Sequence, residues 1–302
     1  MPATAETTWR DLRTRAEAAL RDAGVADPAL EARWMVERAS GYESAELIVA
    51  EAEPTTDRAR AHLQAMVERR AAGEPLQYVL GVWSFRGLDL LVDRRVPIPR
   101  PETEFTAEVA IDEATRLGAR RGAPDPWAGG ATTYTVADLG TGSGAIALAL
   151  ASELPDAEVW ATDASEDALA VARANLAGAG LPATRVRLTA GDWFDALPRA
   201  LAFRMIVTNP PYVAAGEHLP PEVADHEPTA ALVSGPTGLE AIEQLVAGAP
   251  ERLEAEGTFV CELAPHQAET ATDLARGAGF GEAFVRRDLT GRERVLIARL
   301  VG

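Results

Sequence analysis

The chain has 302 residues, 47% of them hydrophobic, and one cysteine, Cys261; it can bury a core, but it holds no internal disulfide and no cysteine-built metal site. Formal net charge is −17, with 15 basic against 30 acidic residues in 101–302, a balance that repels a phosphate backbone. Every basic residue is Arg, which excludes lysine Schiff bases and the phosphate-loop lysine, and neither a basic-then-apolar start nor a bilayer-length apolar run occurs, so a soluble cytoplasmic protein is expected.

Residues 8–72 read as helical. Thr8 caps a stretch with Leu12, Ala16, Ala19 and Leu20 on one face, closed by Gly24. Asp27-Pro28 opens a second helix with Leu30, Trp34 and Met35, ended by Gly41. Asp57 opens a third with Leu63, Met66 and Val67, ended by Gly73. Between 76 and 93, Gln77–Leu80, Val82–Phe85 and Leu88–Val92 are short β-like runs punctuated by Gly81 and Gly87, which predicts a hairpin or meander. The segment Pro97-Ile98-Pro99-Arg100-Pro101-Glu102-Thr103-Glu104 is stiffened by prolines, with a helix from Glu104 to about Leu117. Residues 118–132, rich in Gly, Ala and Pro, read as a loop.

From Thr133 strands and helices alternate. Strands are expected at Tyr134–Ala137, Glu158–Thr162, Val186–Thr189, Met205–Thr208, Thr258–Glu262 and Arg294–Leu300. Helices are expected at Gly144–Glu153, Glu166–Ala177, Gly238–Ala249 and His266–Ala278. Such alternation means an α/β fold, a mostly parallel sheet covered by helices.

Asp138-Leu139-Gly140-Thr141-Gly142-Ser143-Gly144-Ala145 joins the first of these strands to its helix, and Asp163 ends the next strand. The glycines allow a tight turn and close approach to a ligand, and a carboxylate at Asp163 is placed for ribose hydroxyls. Gly140, Gly142 and Ala145 also satisfy the dinucleotide fingerprint, so a nicotinamide oxidoreductase is a rival. Asp138 favours a ligand with a positive tail, a sulfonium and an α-amino group, over a pyrophosphate that it would repel. Asp192 and Trp193 follow the third strand, as an adenine-amine acceptor and an aromatic wall.

Asn209-Pro210-Pro211-Tyr212 follows the fourth strand, at the carboxyl edge where such folds bind ligands. The prolines remove two donors and leave an acceptor-rich edge: the Asn209 side-chain carbonyl and the Pro210 backbone carbonyl. These can take the two hydrogens of an NH₂ group, while Tyr212 stacks on a planar amide or base. An amide nitrogen is a poor nucleophile and hardly acidic, so positioning and charge stabilisation are what a protein can offer it. The candidate catalytic residues are therefore Asn209, Pro210 and Tyr212, with Pro211 also in the substrate loop. His62, His218, His226 and His266 need no chemical role.

In combination, Gln77-Tyr78, Gly81, Phe85, the Ile98–Glu104 segment, the Gly140 loop, Asp192-Trp193-Phe194, Asn209–Tyr212, Glu227-Pro228 and Asp288–Arg294 resemble the peptide release factor glutamine methyltransferases. The likeness covers nearly the whole chain; Asn-Pro-Pro-Tyr alone is shared with amino-methylating DNA and RNA enzymes. The resemblance implies a Rossmann-like class I methyltransferase sheet (101–302), a small N-terminal helical recognition domain (1–73) and a β-hairpin linker (74–100). It implies S-adenosylmethionine as cofactor, leaving as S-adenosylhomocysteine, held by Asp138, Gly140, Thr141, Gly142, Ser143, Gly144, Asp163, Asp192, Trp193 and Asn209. The implied substrate is the glutamine of the Gly-Gly-Gln loop of class I release factors, methylated at N5; a monomer that binds no nucleic acid directly and no membrane is expected. Arg100, Glu102 and Glu104 fall in a segment near the site, with packing over the cofactor loop as their expected role, and Glu227 is a further site-supporting candidate. His226 replaces a common aromatic and Ala264 a common glycine. Other proteins, nucleic acid bases and small amides or amines are the alternative acceptors.

Overall fold

The computed structural model describes residues 7–120 and 134–301; most of the expected 118–132 loop lies outside them. In chain order the elements are α1 (Trp9–Asp22), α2 (Pro28–Ser40), α3 (Ser44–Ala50), α4 (Asp57–Ala71), α5 (Leu76–Leu80), β1 (Val82–Phe85), β2 (Leu88–Leu91), α6 (Pro101–Arg120), β3 (Tyr134–Leu139), α7 (Ala145–Glu153), β4 (Ala157–Asp163), α8 (Glu166–Gly178), β5 (Val186–Ala190), β6 (Phe203–Thr208), β7 (Val213–Ala214), α9 (Pro221–Ala224), β8 (Val233–Gly235), α10 (Glu240–Gly248), β9 (Leu253–Glu262), α11 (Ala268–Gly277), β10 (Glu282–Arg287) and β11 (Glu293–Arg299). They form two compact units, one of residues 1–82 with 219–226, the other of 83–218 with 227–302.

The first unit is helical. Thr8 caps α1 through a reciprocal pair with Asp11, and Pro28 sits in the first turn of α2, where a missing N–H costs nothing. Leu12, Ala16 and Leu20 of α1 are buried, as are Met35 of α2 and Leu63, Met66 and Val67 of α4. Ala19 and Leu30 point outward instead; Ala32 and Val36 take the inner face of α2. The helix α3 was not foreseen, and Gln77–Leu80 is helical rather than β-like. Arg70 holds the unit together, pairing with Glu31 and with Glu222 at 2.6 Å each.

In the second unit β1 and β2 form a hairpin through Arg86 and Gly87, whose φ values of 49° and 76° are those of the tight turn that follows strand twist. The helix α6 begins at Pro101, three residues before the expected start, because proline is tolerated in a first turn. The main sheet has the order β10-β11-β9-β6-β3-β4-β5. β3 pairs in parallel with β4 and β6, β4 with β5, and β6 with β9, whereas β11 runs antiparallel to both β9 and β10. The strand β10 escaped sequence analysis, since its residues Glu282–Arg287 mix exposed and charged positions.

Strand alternation divides the core between the two faces. Val136, Met205, Val207 and Val260 pack with α6 and α7; Ala137, Leu139, Ile206 and Phe259 pack with α10 and α11. The helix α7 is buried from Ala145 to Ala151, which explains the longest apolar run as a core helix. Because β3 lies between β4 and β6, the loops after these strands meet at one edge of the sheet.

Candidate active site

The Thr208 hydroxyl, at the end of β6, donates to the Leu139 carbonyl at the end of β3 at 2.8 Å. This fastens the strand before the Asn209 loop to the strand before the glycine loop. Gly140 has φ 73°, and a Cβ there would stand 3.0 Å from the Trp193 ring. Glycine is needed both for the backbone angle and for the aromatic wall to approach. Trp193 itself has φ 41°, a sparsely populated conformation for a bulky residue and a mark of constraint at a site.

Asp163 closes the glycine loop from the side. Its carboxylate accepts from the Gly142 N–H at 2.8 Å and from the Ser165 N–H at 2.9 Å. Burial raises its pKa, against the two backbone hydrogen bonds. A cavity of about 200 Å³ is lined by Gly140, Gly142, Asp163, Asp192, Trp193 and Asn209, together with Pro211 of the acceptor loop. Arg95, Pro97, Pro228, Ala230 and Ala231 also line it; Pro97 and Pro228 belong to segments that the sequence singles out, whereas Arg95, Ala230 and Ala231 carried no sequence signal.

Asp138, Thr141, Ser143 and Gly144 lie behind the loop instead of on the cavity wall. Asp138 is fully buried. Its Oδ2 accepts from the Thr141 hydroxyl at 2.6 Å and the Ala147 N–H at 3.1 Å, while Oδ1 has no partner among the described residues. Burial pushes its pKa up to about 7. It braces the turn from beneath. The Ser143 carbonyl accepts from Asn175 of α8 at 2.8 Å, and Gly144 starts α7 against Ala172, where a Cβ would sit 3.4 Å away.

In the acceptor loop Asn209 and Pro211 face the cavity; Pro210 and Tyr212 do not line it. The Asn209 amide donates to the Thr103 hydroxyl at 3.1 Å. The Tyr212 hydroxyl lies 3.4 Å from Glu262, and the Tyr212 carbonyl accepts from Gln267 at 3.0 Å. Glu262, 1% exposed, also accepts from Thr106 at 2.9 Å, and burial raises its pKa to about 7. Thr103, Glu262 and Gln267 thus set the acceptor loop, and no motif marked them for that role. The signal for Thr103 was its place between Glu102 and Glu104, which were noted.

Glu227 is buried and ties two segments: it pairs with Arg100 and accepts from the Ile98 N–H at 3.2 Å. Burial raises its pKa more than Arg100 lowers it. Arg100 and Glu227 therefore hold the chain that places Pro97 and Pro228 on the cavity. Glu104 serves elsewhere, accepting from the Arg86 N–H at 3.0 Å and bracing the hairpin turn, so its expected packing over the cofactor loop is corrected. Glu102 is half-buried and acts on Glu262 and Tyr212 through its charge. No histidine lines the cavity; His62, His218 and His266 are exposed and His226 is half-buried. No cluster of potential metal ligands occurs among the described residues, and none of their helices is long and apolar enough to cross a membrane.

Two family models match the chain: "PrmC N-terminal domain" over residues 11–81 and "Methyltransferase small domain" over 107–226. A release factor glutamine methyltransferase of Bordetella pertussis is 40% identical over 277 residues, 91% of this chain and 96% of that protein. One of Deinococcus radiodurans is 39% identical over 295 residues, 97% and 99% of the two chains. In fold, the chain is similar to a human methyltransferase 10 domain containing protein at TM-score 0.51 and 17% identity, over 71% of this chain and 88% of that one.

Proposed function

Since the chain belongs to the release factor glutamine methyltransferases, we propose that it methylates the side-chain amide nitrogen, N5, of the glutamine in the Gly-Gly-Gln loop of class I release factors. The observation that carries this is the acceptor loop: Asn209 at the cavity wall with its NH₂ engaged by Thr103, leaving its carbonyl oxygen for an incoming NH₂.

The cofactor is S-adenosylmethionine, and the residues present fit it. Each Asp163 oxygen receives one backbone N–H and keeps lone pairs for ribose hydroxyls. Gly140, Trp193 and Asp192 line the cavity beside them. The buried Asp138 braces the loop rather than touching the ligand. When bound, the cofactor supplies an electrophilic methyl group on a sulfonium.

The chain's own residues do the rest by placement. The Asn209 side-chain carbonyl and the Pro210 backbone carbonyl accept the two amide hydrogens and aim the nitrogen's π face. The same two oxygens stabilise positive charge as it develops on that nitrogen. Tyr212, anchored by Glu262 and Gln267, covers the flat amide. The substituted nitrogen is acidic enough to lose its proton to water, so no histidine is required. The N-terminal helical domain, residues 1–73, docks the release factor, and the enzyme works as a cytoplasmic monomer.

The test is transfer of labelled methyl from S-adenosylmethionine to a purified class I release factor. Label on the loop glutamine, absent from a Gln→Ala loop variant, is the expected result; equal label on that variant, or label only on RNA, contradicts it.

A further inference from the structure

The turn between β10 and β11, Asp288-Leu289-Thr290-Gly291-Arg292, lines no part of the cofactor cavity, yet it leaves the sheet at the cavity's edge. β9 runs parallel to β6, with Cys261 opposite Thr208, and β11 runs antiparallel to β9, with Val295 opposite Glu262. The start of β11 therefore lies at the edge where β6 gives way to Asn209. In the order β11-β9-β6 two strand spacings separate them, about 10 Å. Arg294, which is buried, fastens the turn to that edge: its Nε lies 3.4 Å from the Asp288 carboxylate and its Nη1 donates to the Leu263 carbonyl at 3.3 Å. The turn itself is held tight. The Asp288 carboxylate accepts from the Thr290 N–H at 2.9 Å, the Thr290 hydroxyl at 2.6 Å and the Arg292 N–H at 3.1 Å. On this fixed frame Leu289 is 99% exposed. Nearby, Arg287 pairs with Glu293 and Arg294 with Asp288, whereas Arg292 is exposed and pairs with no carboxylate among the described residues.

We propose that Leu289 and Arg292 form a docking tip for the protein that carries the acceptor amide, the class I release factor, with Leu289 entering an apolar recess on its surface and Arg292 meeting a carboxylate at the rim. This rests on the acceptor assignment above. A single exposed leucine is ordinary on a protein surface; its place on a rigid turn at the acceptor edge, beside a free guanidinium, is what distinguishes this one. A turn already ordered by Asp288 gives up little freedom when a partner binds. Standing outside the cavity, the tip is within reach only of an acceptor much larger than an amide group. A leucine offers nothing to a phosphate backbone, so the tip fits a protein surface.

The experiment is calorimetric binding of an intact class I release factor to the full chain in the presence of S-adenosylhomocysteine. Leu289→Ser and Arg292→Glu are each expected to weaken binding of the factor by about tenfold, while affinity for S-adenosylhomocysteine stays at the wild-type value. Leu289→Met, which keeps an apolar side chain at the tip, restores binding of the factor. The loss in Arg292→Glu is expected to shrink at high salt. Wild-type affinity for the factor in either variant overturns the proposal. So does a loss matched by an equal loss of affinity for S-adenosylhomocysteine, since that would place the effect inside the chain instead of at its surface. Wild-type enzyme that leaves the release factor unlabelled overturns the acceptor assignment itself, whereas a factor that is labelled, yet bound equally well by both variants, overturns the docking tip alone.

Discussion

The Thr208 hydroxyl donates to the Leu139 carbonyl at 2.8 Å, joining the ends of β6 and β3 just where the acceptor loop and the glycine loop depart. Both residues are fully buried. The bond sets the separation of Asn209 from Gly140 more directly than the packing of either loop.

Thr208→Val keeps the shape and removes the hydroxyl's hydrogen bond to the Leu139 carbonyl. A destabilisation of about 0.5–1.5 kcal/mol is expected for the loss of such a bond, read as a lower denaturant midpoint. Turnover is expected to fall more than cofactor affinity, because the glycine loop keeps its own braces at Asp138 and Asp163.

Glu227→Ala removes the partner of Arg100 and the acceptor of the Ile98 N–H. The segment carrying Pro97 then loses its tie over Gly142. Weaker binding of S-adenosylmethionine by about tenfold is expected, with about 1–3 kcal/mol lost in stability; calorimetric titration and thermal unfolding measure the two.

Asp138 and Glu262 both have folded-state pKa values pushed up to about 7 by burial. A carboxyl whose pKa is higher folded than unfolded binds more protons in the native state. Its stabilisation is full below the unfolded value near 4 and is lost as pH rises through 7. These two groups therefore make the protein less stable at pH 8 than at pH 5.5. Asp138→Asn can still accept from Thr141 and Ala147 without a buried charge. It is expected to raise the melting temperature at pH 8 and to flatten the slope between those two pH values.

Much of this site was legible from local chemistry. Gly140, Asp163, Trp193 and Asn209 occupy strand ends, and strand ends are visible in alternating sequence. Arg100 and Glu227 were noted from resemblance, but their pairing was not. The rest was hidden for physical reasons. Position alone does not tell which side of a turn the Asp138 carboxylate faces; the structure shows it buried, with Oδ2 held by Thr141 and Ala147. Thr103, Glu262 and Gln267 act through hydrogen bonds between segments fifty or more residues apart, and no periodicity encodes such pairs. In the fold, Gln77–Leu80 has β-branched and aromatic character yet forms a helical turn closed by Gly81 in the left-handed conformation. Tertiary context overrode propensity there.

The most direct test of the acceptor loop is Asn209→Ala, measured as single-turnover methyl transfer to the release factor beside the calorimetric affinity for S-adenosylmethionine. Loss of a carbonyl that holds the amide and stabilises its charge is expected to slow transfer by about a hundredfold or more, with cofactor affinity changed only severalfold. Transfer at the wild-type rate, or a loss accounted for entirely by weaker cofactor binding, would contradict the role given to Asn209.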